Sequence, residues 1–145
     1  AREAAFLGIP ALAVSMVHPG APYFSDAARF ISDLLPQIAT GGMPRGTFLN
    51  INLPHCALAE TAGVRVRPHK TEPDRDAFEK RTDPRNRVYY WHRGFNGGPL
   101  AEGAGGDDCA ALAQKYICVT PIKCDTTDYG LLKTLDAWLA ASEKA

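Results

Sequence analysis

The stretch Gly42-Met43-Pro44-Arg45-Gly46-Thr47-Phe48-Leu49-Asn50-Ile51-Asn52-Leu53-Pro54 constrains this chain more than any other. Two adjacent glycines stop a preceding helix, because glycine takes positive φ without a Cβ clash. Thr47, Leu49, Ile51 and Leu53 then alternate with Phe48, Asn50 and Asn52, a period of two that specifies a strand. Pro54 offers no amide donor, so the ladder is expected to end before it. Around this strand the chain divides into an α/β unit before it and an extended arm after it, with a return to helix at the end.

The amino-terminal Ala1-Arg2-Glu3-Ala4-Ala5-Phe6-Leu7-Gly8 reads as the last turns of a helix stopped by Gly8. It has no initiating Met, no preceding N-cap and none of the features of a signal or transit peptide. That is the expected pattern of a chain taken from something longer. Ile9-Pro10-Ala11-Leu12-Ala13-Val14-Ser15 is nearly unbroken in apolar character and predicts a parallel strand buried on both faces, with Pro10 at its first position. A loop over residues 16–22 contains His18. Ser25 is the expected N-cap of the next helix, with Asp26 in its first turn. Ala27, Phe30, Ile31, Leu34, Leu35 and Ile38 form an apolar stripe at helical spacing, and Pro36 predicts a kink or an early end. Helix, strand, helix, strand in this order implies a right-handed crossover and a largely parallel sheet.

Past Pro54 the pattern changes. Gly63-Val64-Arg65-Val66-Arg67 alternates as a strand with one wet face. Residues 68–86 are rich in charge and proline and read as loop or mobile arm. Arg87-Val88-Tyr89-Tyr90-Trp91-His92-Arg93 is β-prone and predicts a hairpin or antiparallel arm projecting from the core. Residues 94–107 are glycine-rich loop. Asp107 or Asp108 should cap a short helical turn over 108–115, and Tyr116-Ile117-Cys118-Val119-Thr120-Pro121-Ile122 is a strand ending near its proline. Thr126 or Thr127 should cap the last helix, with Asp128 in its first turn and Leu131, Leu132, Leu135, Trp138 and Leu139 as its buried stripe.

Composition excludes several classes. The 16 basic and 16 acidic residues balance, so no bulk field attracts nucleic acid or acidic lipid. No apolar run approaches the length of a bilayer span. Cys56, Cys109, Cys118 and Cys124 contain no CxxC, and no histidine lies at a zinc-finger interval; free thiols in a reducing, cytoplasmic compartment are expected.

Several residues invite a chemical reading. Asp107 and Asp108 are adjacent carboxylates of the kind a hard cation uses, but the cap reading is preferred, as it is for Asp125 and Asp128. Asn50 and Asn52 share one strand face and either line a cleft or, the preferred reading, satisfy backbone groups at the end of the sheet. Among His18, His55, His69 and His92, the first two follow core strands, the end where ligands gather in open α/β sheets. Tyr89-Tyr90-Trp91 with Arg85, Arg87 and Arg93 either stacks bases or forms an oligomer contact, and the contact is preferred. No catalytic triad order, nucleophile elbow, Walker loop or dinucleotide fingerprint is present.

The pivot G-x-P-x-G-T-x-L-N-x-N-x-P resembles the segment that closes the core sheet of the SurE (survival protein E) family. Further matches follow in order. Asp83-Pro84-Arg85-Asn86-Arg87-Val88-Tyr89-Tyr90-Trp91 is similar to a D-P-x-G-x-x-Y-Y-W arm, with Asn86 in place of glycine. Gly106-Asp107-Asp108-Cys109-Ala110-Ala111 and Tyr116-Ile117-Cys118-Val119-Thr120-Pro121 are similar to G-T-D-x-x-A and G-Y-V-S-I-T-P, with Asp107 in place of threonine and Lys115 in place of glycine. Asp125-Thr126-Thr127-Asp128-Tyr129 and residues 2–15 also fit. The resemblance implies a metal-dependent nucleotidase acting on nucleoside monophosphates, and it covers the carboxy-terminal half of such a protein. The family's metal ligands sit in N-D-D-G and G-I-N contexts that do not occur here, so no catalytic, metal-binding or substrate-binding residue is carried over.

The resulting expectation is an α/β fold, part of a Rossmann-like, mostly parallel three-layer core with a protruding β-hairpin arm and a C-terminal helix. Residues 1–54 would form the C-terminal part of the core, 55–105 a β arm and loops for oligomerisation, and 106–145 a returning strand and the last helix. The function implied is hydrolysis of the phosphomonoester of nucleoside monophosphates with Mg or Mn, in a homo-oligomer (dimer or tetramer) without membrane or nucleic-acid partners. The alternative is a catalytically inactive oligomerisation module.

Overall fold

A computed structural model describes residues 1–17, 23–71, 76–95 and 106–142. The elements in chain order are α1 (Arg2–Phe6), β1 (Leu12–Met16), α2 (Phe24–Gly41), β2 (Thr47–Leu53), a 3-10 turn (Leu58–Glu60), β3 (Val64–Val66), β4 (Asp76–Thr82), β5 (Val88–Phe95), α3 (Asp108–Ala113), β6 (Ile117–Lys123) and α4 (Tyr129–Ser142). β1, β2, β6 and β3 form one sheet in that order, and β4 and β5 a separate two-stranded one.

β2 is the strand its period-two pattern predicts, and it ends at Leu53 as Pro54 requires. It runs parallel to β1, from Leu12 against Leu49 to Met16 against Leu53, and antiparallel to β6. β3 runs parallel to β6. The sheet is therefore α/β, Rossmann-like and mostly parallel, as expected, with one antiparallel pairing at its centre.

Alternation along β2 sorts the layers. Leu49, Ile51 and Leu53 face α2, where Ala27, Phe30, Ile31 and Leu34 join Leu12, Met16, Ile117 and Val119 in the main core. Phe48 points the other way and packs with Ala5 of α1, Ala13, Ile122 and Cys124. Asn52 also points that way and meets Asp108 of α3. Helices thus cover both faces.

Several local expectations are corrected. β1 is not buried on both faces: among the described residues it pairs with β2 alone, and Val14 is 45% exposed. The cap of α2 is Tyr23 rather than Ser25. Asp26 does lie in the first turn, and its carboxylate accepts the Leu58 amide at 2.7 Å, tying the 3-10 turn to the helix. Pro36 does not shorten α2, which continues to Gly41 before Gly42 ends it at φ 71°. β6 likewise continues through Pro121 to Lys123. Opposite Pro121, the Leu49 amide donates away from β6, to Ala11. The missing Pro121 donor therefore faces the side where β3 has already ended, and costs no ladder bond.

The span read as loop or mobile arm over 68–86 contains β4, which pairs with β5 to make the predicted hairpin. Its turn is closed by Asp83, whose carboxylate accepts the Arg85 and Arg87 amides, and Asn86 takes φ 59°, the left-handed conformation that asparagine tolerates. Residues 64–66, placed with the arm by sequence, join the core sheet instead. In β3 the covered residue is Arg65, which lies 3.7 Å above the Tyr116 ring, while Val64 and Val66 face out. Asp128 caps α4, accepting the Gly130 and Leu131 amides, in place of Thr126 or Thr127. The α4 stripe is not buried: Trp138 is 62% and Leu139 64% exposed. Much of the glycine-rich segment (96–105) lies outside the described residues. Among those described, no helix is long and apolar enough to cross a membrane.

Candidate functional site

The face of the sheet turned toward α1 and α3 is apolar at one end and polar at the other. Register places Ala13, Asn50 and Thr120 in one row and Ser15, Asn52, Cys118 and Arg65 in the next. The second row lies at the carboxyl ends of β1 and β2, the end at which open α/β sheets collect ligands.

Asn52 organises this row. The Ser15 hydroxyl donates to its Oδ1, and its Nδ2 donates to Asp108 Oδ2 at 3.5 Å. Asparagine can accept and donate from one amide, so it bridges a hydroxyl and a carboxylate. Its partners are side chains, not the backbone groups expected of it.

Asp108 is the most constrained group here, 2% exposed at the start of α3. Its Oδ1 accepts the Lys70 amide at 2.9 Å and the Cys109 amide at 3.0 Å; its Oδ2 faces His69 Nδ1 at 2.9 Å as well as Asn52. Burial alone pushes the carboxyl up, but the hydrogen bonds from Lys70, His69 and Cys109 outweigh it and hold the group below the ordinary carboxylate range. The adjacent Asp107 is the N-cap, accepting the Ala110 amide at 2.8 Å. The two neighbours thus divide their labour: one closes a helix, the other joins three segments.

His69 was only one of four loop histidines in sequence, and the structure makes it the partner of a buried acid. No local signal marks it, because the contact closes across 39 residues. Of the two histidines favoured by position, His18 lies outside the described residues. His55 meets Tyr23 edge-on at 5.3 Å, and its Nδ1 is buried with no hydrogen-bond partner among the described residues. His92 lies on the arm against Phe78, ring centres 5.2 Å apart.

On the arm, Tyr89, Tyr90 and Trp91 are exposed. Nearby arginines are engaged: Arg87 with Asp83 at 2.8 Å, Arg81 with Glu79 at 3.0 Å, and Arg93 with Glu79 at 3.7 Å. All four cysteines are free thiols, and burial raises those of Cys56 and Cys118.

A family model described as Survival protein SurE matches residues 1–75. The 5'-nucleotidase SurE of Desulfatibacillum aliphaticivorans is 48% identical over 138 residues, covering 95% of this chain and 54% of that protein. The 5'-nucleotidase SurE of Carboxydothermus hydrogenoformans is 40% identical over 151 residues, covering 100% of this chain and 55% of its own length. A crystal structure of the SurE protein from Aquifex aeolicus superposes with a TM-score of 0.79 at 28% identity, covering 94% of this chain and 54% of that one. The chain spans about half the length of the curated relatives it matches.

Proposed function

Because the chain belongs to the SurE family, we propose that the protein carrying it is a phosphatase of nucleoside monophosphates, a 5'-nucleotidase. The observation that carries this reading is the 48% identity across 138 residues with a relative of that name. In the reaction, water adds to phosphorus as the ester P–O bond breaks, releasing the nucleoside with its hydroxyl restored and inorganic phosphate.

A divalent metal, Mg or Mn, belongs to the reading. The described residues of this chain do not fit it. Asp107, Asp108 and Cys109 bring ligand atoms within 4.8 Å of one another. Yet Asp107 is committed to capping α3, and Asp108 meets four donors, as many as a carboxylate has lone-pair sites. A hard cation needs free anionic oxygens. We therefore assign the metal to the portion of the relatives that this chain does not span.

What this chain contributes is position. β1, β2 and β6 supply the back of the core, and the Ser15–Asn52–Asp108 row stiffens the end of the sheet facing the reaction. The arm (β4 and β5) and α4 supply contacts between subunits, in a dimer or tetramer, a role supported by the exposed aromatic and leucine side chains on both. A cytoplasmic location accords with the free thiols.

Phosphate release from purified intact protein, with AMP, GMP and CMP as substrates and Mg or Mn supplied after chelation, tests the reading. Release that requires metal supports it; none with any metal or base overturns it, and leaves an assembly role.

A further inference from the structure

Among the described residues, the edge of β6 is open beyond the end of β3. The ladder between them finishes with Val66 against Val119 and the Arg67 amide on the Val119 carbonyl at 3.2 Å. The chain then turns away at Pro68, whose carbonyl accepts the Asp108 amide at 3.0 Å. Beside the uncovered β6 edge lies a cavity of about 570 Å³, within the range of small-molecule sites. Its walls are of two kinds. Val66, Pro68, Pro121 and Ile122 are apolar, and Arg67, His69 and Lys123 carry donors.

These donors have capacity to spare. The Arg67 guanidinium donates to the Val66 carbonyl at 3.1 Å and has no carboxylate partner among the described residues. Asp108 takes the His69 Nδ1–H, which leaves Nε2, a donor when the ring carries its second proton, for an anionic occupant. Lys123 has no ion pair among the described residues, although Asp125 lies within its field. Among the described residues, the only acid bonded to a donor of the cavity is Asp108, which serves to orient the imidazole.

We propose that this cavity binds a small organic anion, a phosphoryl or phosphonyl head on an apolar body, with the head on Arg67, His69 and Lys123 and the body against the prolines, Val66 and Ile122. Two cationic side chains and an imidazole that donates from Nε2 when protonated suit a head with three oxygens and more than one charge better than a carboxylate with two oxygens and one. The site is separate from the Ser15–Asn52 end of the sheet but joined to it, since His69 and Asn52 share Asp108 Oδ2.

The experiment is an NMR titration of the intact protein with phenylphosphonate, whose P–C bond a phosphomonoesterase does not cleave, and in parallel with inorganic phosphate and with benzoate. Saturable shifts of the His69 ring and the Lys123 amide are expected, with phenylphosphonate binding at least about threefold tighter than either comparison ligand. Arg67→Gln and Lys123→Gln should each weaken it about tenfold, as loss of a charge-assisted hydrogen bond does, while Lys133→Gln on α4 leaves it unchanged. Both substituted side chains reach the surface, and a dispersed spectrum controls for folding. No saturation by about 10 mM, weaker than any useful site, overturns the proposal. So does saturation unaffected by either substitution, which places the ligand elsewhere. Equal affinity for inorganic phosphate removes the apolar half of the site, and tighter benzoate removes the phosphoryl head. Phosphate release is measured separately, so either reading can fail without the other.

Discussion

His69 Nδ1 lies 2.9 Å from Asp108 Oδ2, and the same carboxylate oxygen faces Asn52 Nδ2 at 3.5 Å. One buried acid therefore connects the central strand, the start of α3 and the segment that follows β3. Each partner keeps the others in place, and the predictions begin there.

Asp108→Asn preserves shape but turns an acceptor of several N–H groups into a group that must itself donate. We expect a loss of about 2–3 kcal/mol, the cost of leaving buried donors unmatched, measured by urea denaturation of the intact protein.

The pH dependence follows from the same group. Its folded-state value lies below the ordinary aspartate value of 3.8. Its contribution is therefore complete above that value, where the unfolded chain is also ionised, and is lost as pH falls below it through the folded value. Comparing unfolding free energies between pH 6 and pH 2, Asp108→Asn should lose less stability on acidification than the wild type. Parallel curves would show that Asp108 is not the group responsible. Asp125, held by Tyr129 and Thr127 down to about 2, stays in both proteins and cancels in the comparison.

Asp107→Ala discriminates a cap from a ligand. Loss of the bond to the Ala110 amide should cost about 1 kcal/mol and leave the metal concentration for half-maximal phosphate release unchanged. A tenfold rise in that concentration would instead make Asp107 a metal ligand.

Lys115 adopts φ 61° immediately after α3. Lys115→Gly removes the steric cost of left-handed backbone, about 1 kcal/mol, and part of that gain is returned as unfolded-chain entropy. A small rise in melting temperature is expected. Lys115→Val, which adds branching at the same φ, should lower it.

Trp138→Glu or Leu135→Glu on α4 should shift the intact protein to a smaller species in light scattering, because the exposed stripe is the surface we assign to subunit contact. An unchanged mass would remove α4 from the interface.

What was legible in the sequence was local. The alternation over 47–53, the glycine stop at Gly42 and a cap at Asp107 or Asp108 each depend on a few neighbouring residues and on backbone sterics, and each stands in the structure. The Thr126 or Thr127 cap gave way to Asp128, an equally good capping residue one or two positions on; the Ser25 cap failed because α2 begins before it, after Tyr23, which makes no side-chain cap bond.

Tertiary structure decided the rest. β6 runs antiparallel beside β2, Arg65 rather than a valine is the covered residue of β3, and the leucines of α4 face outward. An amphipathic pattern states that a face is to be covered, not by what. Above all, Asp108 and His69 are ordinary polar residues until a contact across 39 positions buries one and aims the other. Sequence by itself determined where the backbone turns and where it extends; only packing decided which strands pair and which polar groups lost water, and that loss is what gives a carboxylate or an imidazole its particular chemistry.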